Sequence, residues 1–133
     1  MQILIVDDNE MVRRGVSALL SSRPTWQVCG YAGDGKEALR KAKELRPDII
    51  LLDISMPGMN GLDVARILRQ ETPDTKIVIM SQHDPIEVLP RVLEAGAHAC
   101  VDKDNLSTAL FPTIESLNRK LEYSQSKRGP SLI

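Results

Sequence analysis

No apolar run in this sequence approaches the ~20 residues that a bilayer-spanning helix needs. The N-terminus, Met1-Gln2-Ile3-Leu4-Ile5-Val6 followed at once by Asp7 and Asp8, lacks the basic start and the small-residue cleavage site of a secretory leader. Cysteine is sparse, and Cys29 and Cys100 form neither a CxxC nor a zinc-like spacing. A reducing cytoplasm is the expected compartment. Excess charge of either sign is missing too: 17 Lys+Arg against 18 Asp+Glu leave a formal net charge of −1. That argues against a chain that grips nucleic acid through overall positive charge. There is no internal repeat and no EF-hand loop, so a Ca²⁺ site is not expected. What is present is ordinary for a globular protein: 42% hydrophobic and 26% charged residues. At 133 residues the chain suffices for one domain that buries a real core without disulfides or metal staples.

Short β-rich apolar runs alternate with helical patterns. The strand candidates are Ile3–Val6, Trp26–Ala32, Ile49–Leu52, Lys76–Met80 and His98–Val101. All but the mixed second run are nearly all-apolar, as strands covered on both faces must be. Val12, Val16, Leu19 and Leu20 fall at i, i+4, i+7 and i+8, and Val64, Ile67 and Leu68 repeat the pattern. A last stripe joins Leu106, Leu110, Ile114, Leu117 and Leu121. Pro24, Gly33/Gly35, Pro47-Asp48, Pro57-Gly58, Pro73-Asp74 and Gly96 punctuate the joints. Five β–α units in series predict an α/β fold, a doubly wound parallel sheet of five strands flanked by five helices. The expected domain occupies residues 1–122, with 123–133 a linker or disordered tail ending in Lys127-Arg128-Gly129-Pro130 and three more residues.

In an open parallel sheet, ligands bind beyond the carboxyl ends of the strands. Asp7 and Asp8 follow the first candidate strand and Asp53 the third; Ser81 follows the fourth, and Lys103 lies two residues past the fifth. Five polar residues from four strands therefore converge on one edge. Hard oxygen ligands such as Asp8 and Asp53 suit Mg²⁺, a hydroxyl and an ammonium suit phosphoryl oxygens, and one carboxylate can serve as nucleophile. Clustered carboxylates repel one another unless a cation intervenes. The competing reading is that acids at strand ends merely cap the following helices. It fits Asp7 or Asp8 alone better than it fits Asp53, Ser81 and Lys103 falling together at three further strand ends.

Three segments carry a resemblance: Ile3-Leu4-Ile5-Val6-Asp7-Asp8-Asn9-Glu10, Pro47 through Asp53 to Gly61, and Ala95-Gly96-Ala97 through Lys103-Asp104. In this order and spacing they resemble the response-regulator receiver family over residues 2 to about 121. Val12-Arg13-Arg14-Gly15 and the Lys103-Asp104 pair make the chain most similar to the NarL-like class, of LuxR type, within the CheY-like superfamily. The resemblance implies a flavodoxin-like fold with strand order 2-1-3-4-5, a sensor histidine kinase as phosphoryl donor, Asp53 as acceptor and Mg²⁺ as metal. It implies further that Asp8, Asp53 and the Ser55 backbone carbonyl ligate Mg²⁺ and that Asp7 acts through water. Ser81 and Lys103 would contact the phosphoryl group. It implies a regulator that assists its own phosphorylation and hydrolysis rather than a turnover enzyme. A homodimer is a possible assembly, and DNA would be reached only through an output domain outside this chain. Either the chain is an excised receiver, or it is a single-domain regulator acting through protein contacts. In the implied order Cys29 and Cys100 occupy opposite edge strands, too far apart for a disulfide.

Several positions depart from the family pattern. Cys100 stands three residues before Lys103, where Tyr or Phe is usual, so no ring is available to turn inward on activation. The competing expectation is a small buried hydrophobe. Gln82 replaces a usual Ala or Gly and is placed to screen an acyl phosphate; His83 and Ser55 sit where hydrolysis is tuned. Pro90 should mark the start of the fourth helix, leaving Asp84–Leu89 as a looser turn, and Pro112 should kink the fifth helix or move its start. His98 is assigned no role. The rival functions are a phosphate-independent binding module of the same shape and a stand-alone hydrolase using Asp53.

Overall fold

The computed structural model describes residues 1–128, with side chains described as far as Arg119. Five parallel strands, β1 (Gln2–Val6), β2 (Gln27–Ala32), β3 (Ile49–Asp53), β4 (Lys76–Ser81) and β5 (Ala99–Asp102), form one sheet in the order 2-1-3-4-5. Helices α1 (Glu10–Leu20), α2 (Gly35–Leu45), α3 (Gly61–Glu71), α4 (Pro85–Glu94) and α5 (Leu106–Arg128) complete the expected architecture.

The central strands are apolar on both faces because both faces are covered. Leu4, Val6, Ile50, Leu52, Ile77 and Ile79 pack toward α2, α3 and α4. The alternate residues Ile3, Ile5, Ile49, Leu51, Val78 and Met80 pack against Val16 and Leu20 of α1 and Leu110, Ile114 and Leu117 of α5. The edges differ. Ile3 pairs with Val28 but Leu4 with Gly30, so Cys29 is the extra residue of a bulge on β2. Cys100 lies on β5 at the opposite edge, and both thiols are free.

Two elements depart from expectation. α4 starts at Pro85, not at Pro90, because Asp84 caps it through Ile86 N and a proline in the first turn has no amide that needs a partner. Pro90 leaves only the carbonyl one turn earlier, that of exposed Ile86, without its helical donor. α5 starts at Leu106 and runs through exposed Pro112, which therefore does not move its start. The helix continues to Arg128, beyond the expected boundary at 122, since no Gly or Pro interrupts 113–128. The rest of the expected tail, 129–133, and the side chain of Leu121 lie outside the described residues.

Candidate functional site

Right-handed β–α crossovers bring every strand's carboxyl end to the same edge of the sheet, and the functional candidates meet there. Each following helix is capped at this edge by its own side chain: Asn9 for α1, Asp34 for α2, Asn60 for α3 and Asp84 for α4. Asn9 takes the amides of Met11 and Val12 at 2.8 and 3.2 Å, so neither Asp7 nor Asp8 is occupied as the α1 cap. The capping reading of the acidic pair is thereby excluded.

A cavity of about 200 Å³ opens at this edge, lined by Asp7, Asp8, Asn9, Asp53, Ile54, Ser55, Gln82, His83 and Lys103. Asp7 is fully buried, Asp53 nearly so, and Asp8 is exposed at the mouth. One carboxylate oxygen from each of the three lies within 4.8 Å of the others. Lys103 enters immediately after β5, its Nζ 2.8 Å from Asp7 Oδ2 and 3.4 Å from Asp53 Oδ1. Asp53 Oδ1 also accepts the Ser55 amide at 3.1 Å, and Asp7 Oδ1 accepts the Asn9 amide at 2.8 Å. The Lys103 contact with Asp7 is a close ion pair but not an aligned hydrogen bond, so the buried Asp7 Oδ2 has no hydrogen-bond partner.

Electrostatics follow from this crowding. Burial pushes the Asp53 carboxyl above its ordinary range, the Ser55 amide opposes this, and the Asp7 charge adds to it. Burial pulls the Lys103 ammonium down, but its contacts with Asp7 and Asp53 outweigh that and hold its pKa above the usual value. Three carboxylates face one ammonium, and one buried oxygen lacks a donor. A hard divalent cation fits that donor set.

Ser81 is the exception among the expected residues. Ending β4 and fully buried, it accepts the His83 amide at 3.0 Å through Oγ and does not line the cavity. Gln82 and His83 do line it. Sequence reasoning missed Asn9, whose place as N-cap before an amphipathic run was a legible signal, and Arg13, which touches the site only through backbone. A larger hollow of about 550 Å³ between Asp34–Lys36 and Pro57–Met59 holds no comparable convergence of polar groups.

Comparison with known proteins places this geometry. Residues 3–115 match the model of the response regulator receiver domain. The transcriptional regulatory protein DegU of Brevibacillus brevis is 33% identical over 132 residues, spanning 99% of this chain and 56% of its own length. The transcriptional regulatory protein LiaR of Bacillus subtilis is 36% identical over 127 residues, 95% of this chain and 60% of its own. The chain thus spans little more than half the length of these relatives. Among solved structures, a LuxR-family two-component response regulator from Aurantimonas superposes with a TM-score of 0.82 at 34% identity, over 87% of this chain and 83% of that one.

Proposed function

Because the chain belongs to the response regulator receiver domain family, we propose that its acidic cavity is a phosphoacceptor site and that Asp53 receives a phosphoryl group from a sensor histidine kinase. The observation that carries this reading is the nearly buried Asp53 carboxylate held between the Ser55 amide and Lys103, with Asp7 and Asp8 beside it. Both protein contacts fall on Oδ1, which leaves Oδ2 for the attack. The bond from phosphorus to the donor imidazole breaks as the bond to Asp53 forms, and the imidazole ring is released. Asp8, Asp53 and the Ser55 carbonyl would hold Mg²⁺, with Asp7 acting through water, and the metal would supply neutralisation of the charge that builds on the transferring group. Lys103 pairs with the phosphoryl oxygens once the acceptor charge is used in the new bond. Ser81 Oγ accepts the His83 amide and keeps its own O–H to donate to the phosphoryl group, and its turn toward the cavity is the moving part of the switch.

The output face in this reading is α4, β5 and α5. Ile86, Leu89 and Leu93 are exposed along α4, apolar surface that an isolated domain has no reason to display. In this reading the receiver controls, in the cytoplasm, a transcription-regulating DNA-binding output domain that is not part of this chain, and two receivers can pair as a homodimer. No helix among the described residues is long and apolar enough to cross a membrane.

The test is intact mass after incubation with a small phosphodonor, with and without Mg²⁺, beside Asp53→Asn. One Mg²⁺-dependent phosphoryl adduct on the wild type and none on the variant is the expected result. A wild-type chain that folds yet gains no adduct moves the phosphate-independent binding module to first place. Release of many phosphates per protein would favour the hydrolase. Gln82 lines the cavity mouth, so Gln82→Ala should shorten both adduct formation and decay; unchanged rates would remove it as a screen.

A further inference from the structure

Asp7 is the most confined member of the acidic cluster: three of its polar groups are hydrogen-bonded to different partners, and the fourth, Oδ2, has only the Lys103 charge beside it. Its amide donates to Ala32 O at 3.0 Å, at the end of β2. Its Oδ1 accepts the Asn9 amide at 2.8 Å. Its Oδ2 lies 2.8 Å from Lys103. Its carbonyl accepts Nη1 of Arg13 at 2.6 Å in a half-buried, charge-assisted bond. Arg13 and Arg14 are neighbours near the start of α1 and behave differently. Arg14 pairs with Glu10 at 3.0 Å on the exposed surface, whereas Arg13 makes no ion pair among the described residues and turns back over the β1–α1 joint. Its guanidinium also runs beside the β2–α2 turn, where a Cβ added at Gly33 would lie 3.7 Å from Nη1.

We propose that Arg13 is a positioning residue of the site: through the Asp7 carbonyl it fixes the Asp7 carboxylate in the place that metal binding requires. The inference rests on the reading of the cavity as an Mg²⁺ site. Its physical basis is the narrow tolerance of Mg²⁺, which demands near-ideal octahedral geometry and dehydrates reluctantly. A carboxylate that acts through metal-bound water must hold that water within tenths of an ångström. The peptide unit after Asp7 sets the direction of the β1–α1 joint, and its carbonyl is past the last ladder pair of β1, Val6 with Ala32 and Leu52. The Arg13 side chain takes the place of a strand neighbour there. Without it, the joint can rotate and carry both Asp7 oxygens and the Asn9 amide with it.

The experiment compares wild type, Arg13→Met and Arg13→Lys by calorimetric Mg²⁺ titration and by amide hydrogen exchange at Asn9 without metal. Arg13→Met keeps the length of the side chain and loses the donor. It should weaken Mg²⁺ binding about tenfold, as loss of an outer-shell partner does, and speed Asn9 exchange severalfold. Arg13→Lys, whose ammonium can still reach the carbonyl, should recover most of both. If Arg13→Met loses stability but keeps wild-type Mg²⁺ affinity and Asn9 exchange, Arg13 is a structural tie only and the proposal is overturned. If the wild type itself takes up no Mg²⁺, the metal reading of the cavity fails, and Asn9 exchange alone decides whether Arg13 positions Asp7.

Discussion

At the scale of single residues, Cys100 shows how placement changes chemistry. It sits on edge strand β5 opposite Ile79 and packs half-buried against the core formed with α4. Burial first, and the Asp102 carboxylate second, push its thiol up to about 11. Burial raises the Cys29 thiol as well, against the pull of its own backbone hydrogen bond. At pH 8 a thiol of pKa near 11 is roughly one part in a thousand thiolate, against about a quarter for a free one near 8.5. Cys100 should therefore alkylate with iodoacetamide about a hundredfold more slowly in the folded protein than in urea at pH 8. Its rate should climb about tenfold per pH unit toward 11. Peptide mapping separates the two cysteines, and fast labelling of Cys100 at pH 8 would show that the thiol is not buried in this way. The sequence supported the expectation of a small buried hydrophobe at 100, and the structure leaves the side chain half-buried; the size of the shift comes from strands and helices remote in sequence.

Among the elements, α3 bears most directly on the acceptor. A Cβ at Gly61 would stand 2.2 Å from the Asp53 carbonyl and 2.8 Å from Ile54 Cα, so the first turn of α3 presses against the end of β3. The Gly61 amide donates to Ile54 O at 2.8 Å across that contact. Gly61→Ala must displace backbone and should cost about 2–3 kcal/mol of stability in urea titration. Gly15, in the exposed middle of α1, has nothing within 4 Å of an added Cβ. Gly15→Ala should therefore stabilise by about 0.5–1 kcal/mol, the ordinary helix gain. Effects of the same sign at the two positions would contradict the close-approach account. α4 makes the complementary point about reading sequence. Pro90 looked like a helix start because an interior proline is costly, but the Asp84–Pro85 cap starts the helix one turn earlier. Pro90's missing bond then falls on the solvent side, where water can satisfy the carbonyl.

For the whole molecule, burial of the ionised Asp53 beside Asp7 makes the site a source of instability. The Asp53 pKa is raised by folding, so the native state holds its proton more tightly than the unfolded chain. This favourable contribution is present below the ordinary carboxylate range and is lost as pH rises through the raised value, so at pH 7 the ionised group destabilises the fold. Asp53→Asn should raise the melting temperature at pH 7, and the gain should shrink as pH falls toward 4. Mg²⁺ at ten times its Kd should add about 1.4 kcal/mol to the wild type and less to the variant. Thermal melts across pH and Mg²⁺ measure both. A variant no more stable than wild type at neutral pH would mean that burial and the neighbouring Asp7 charge do not penalise the Asp53 carboxylate.

The β–α alternation, the doubly wound class and the convergence of Asp7, Asp8, Asp53 and Lys103 were all determined by sequence. Apolar runs and their spacing fix which residues end strands, and parallel crossovers send those ends to one edge. That Asn9 rather than an aspartate caps α1, which keeps the acidic pair out of the cap, had a legible signal in an Asn placed before an amphipathic run. Two matters were decided by tertiary structure alone. Ser81 faces the His83 amide, behind the cavity it was expected to line. Arg13, outside the cluster of strand-end residues, holds Asp7 through a backbone oxygen. Each depends on side-chain direction and on a backbone group as partner, and neither leaves a periodic trace in the sequence, because every residue type carries the same carbonyl and nearly all carry the same amide.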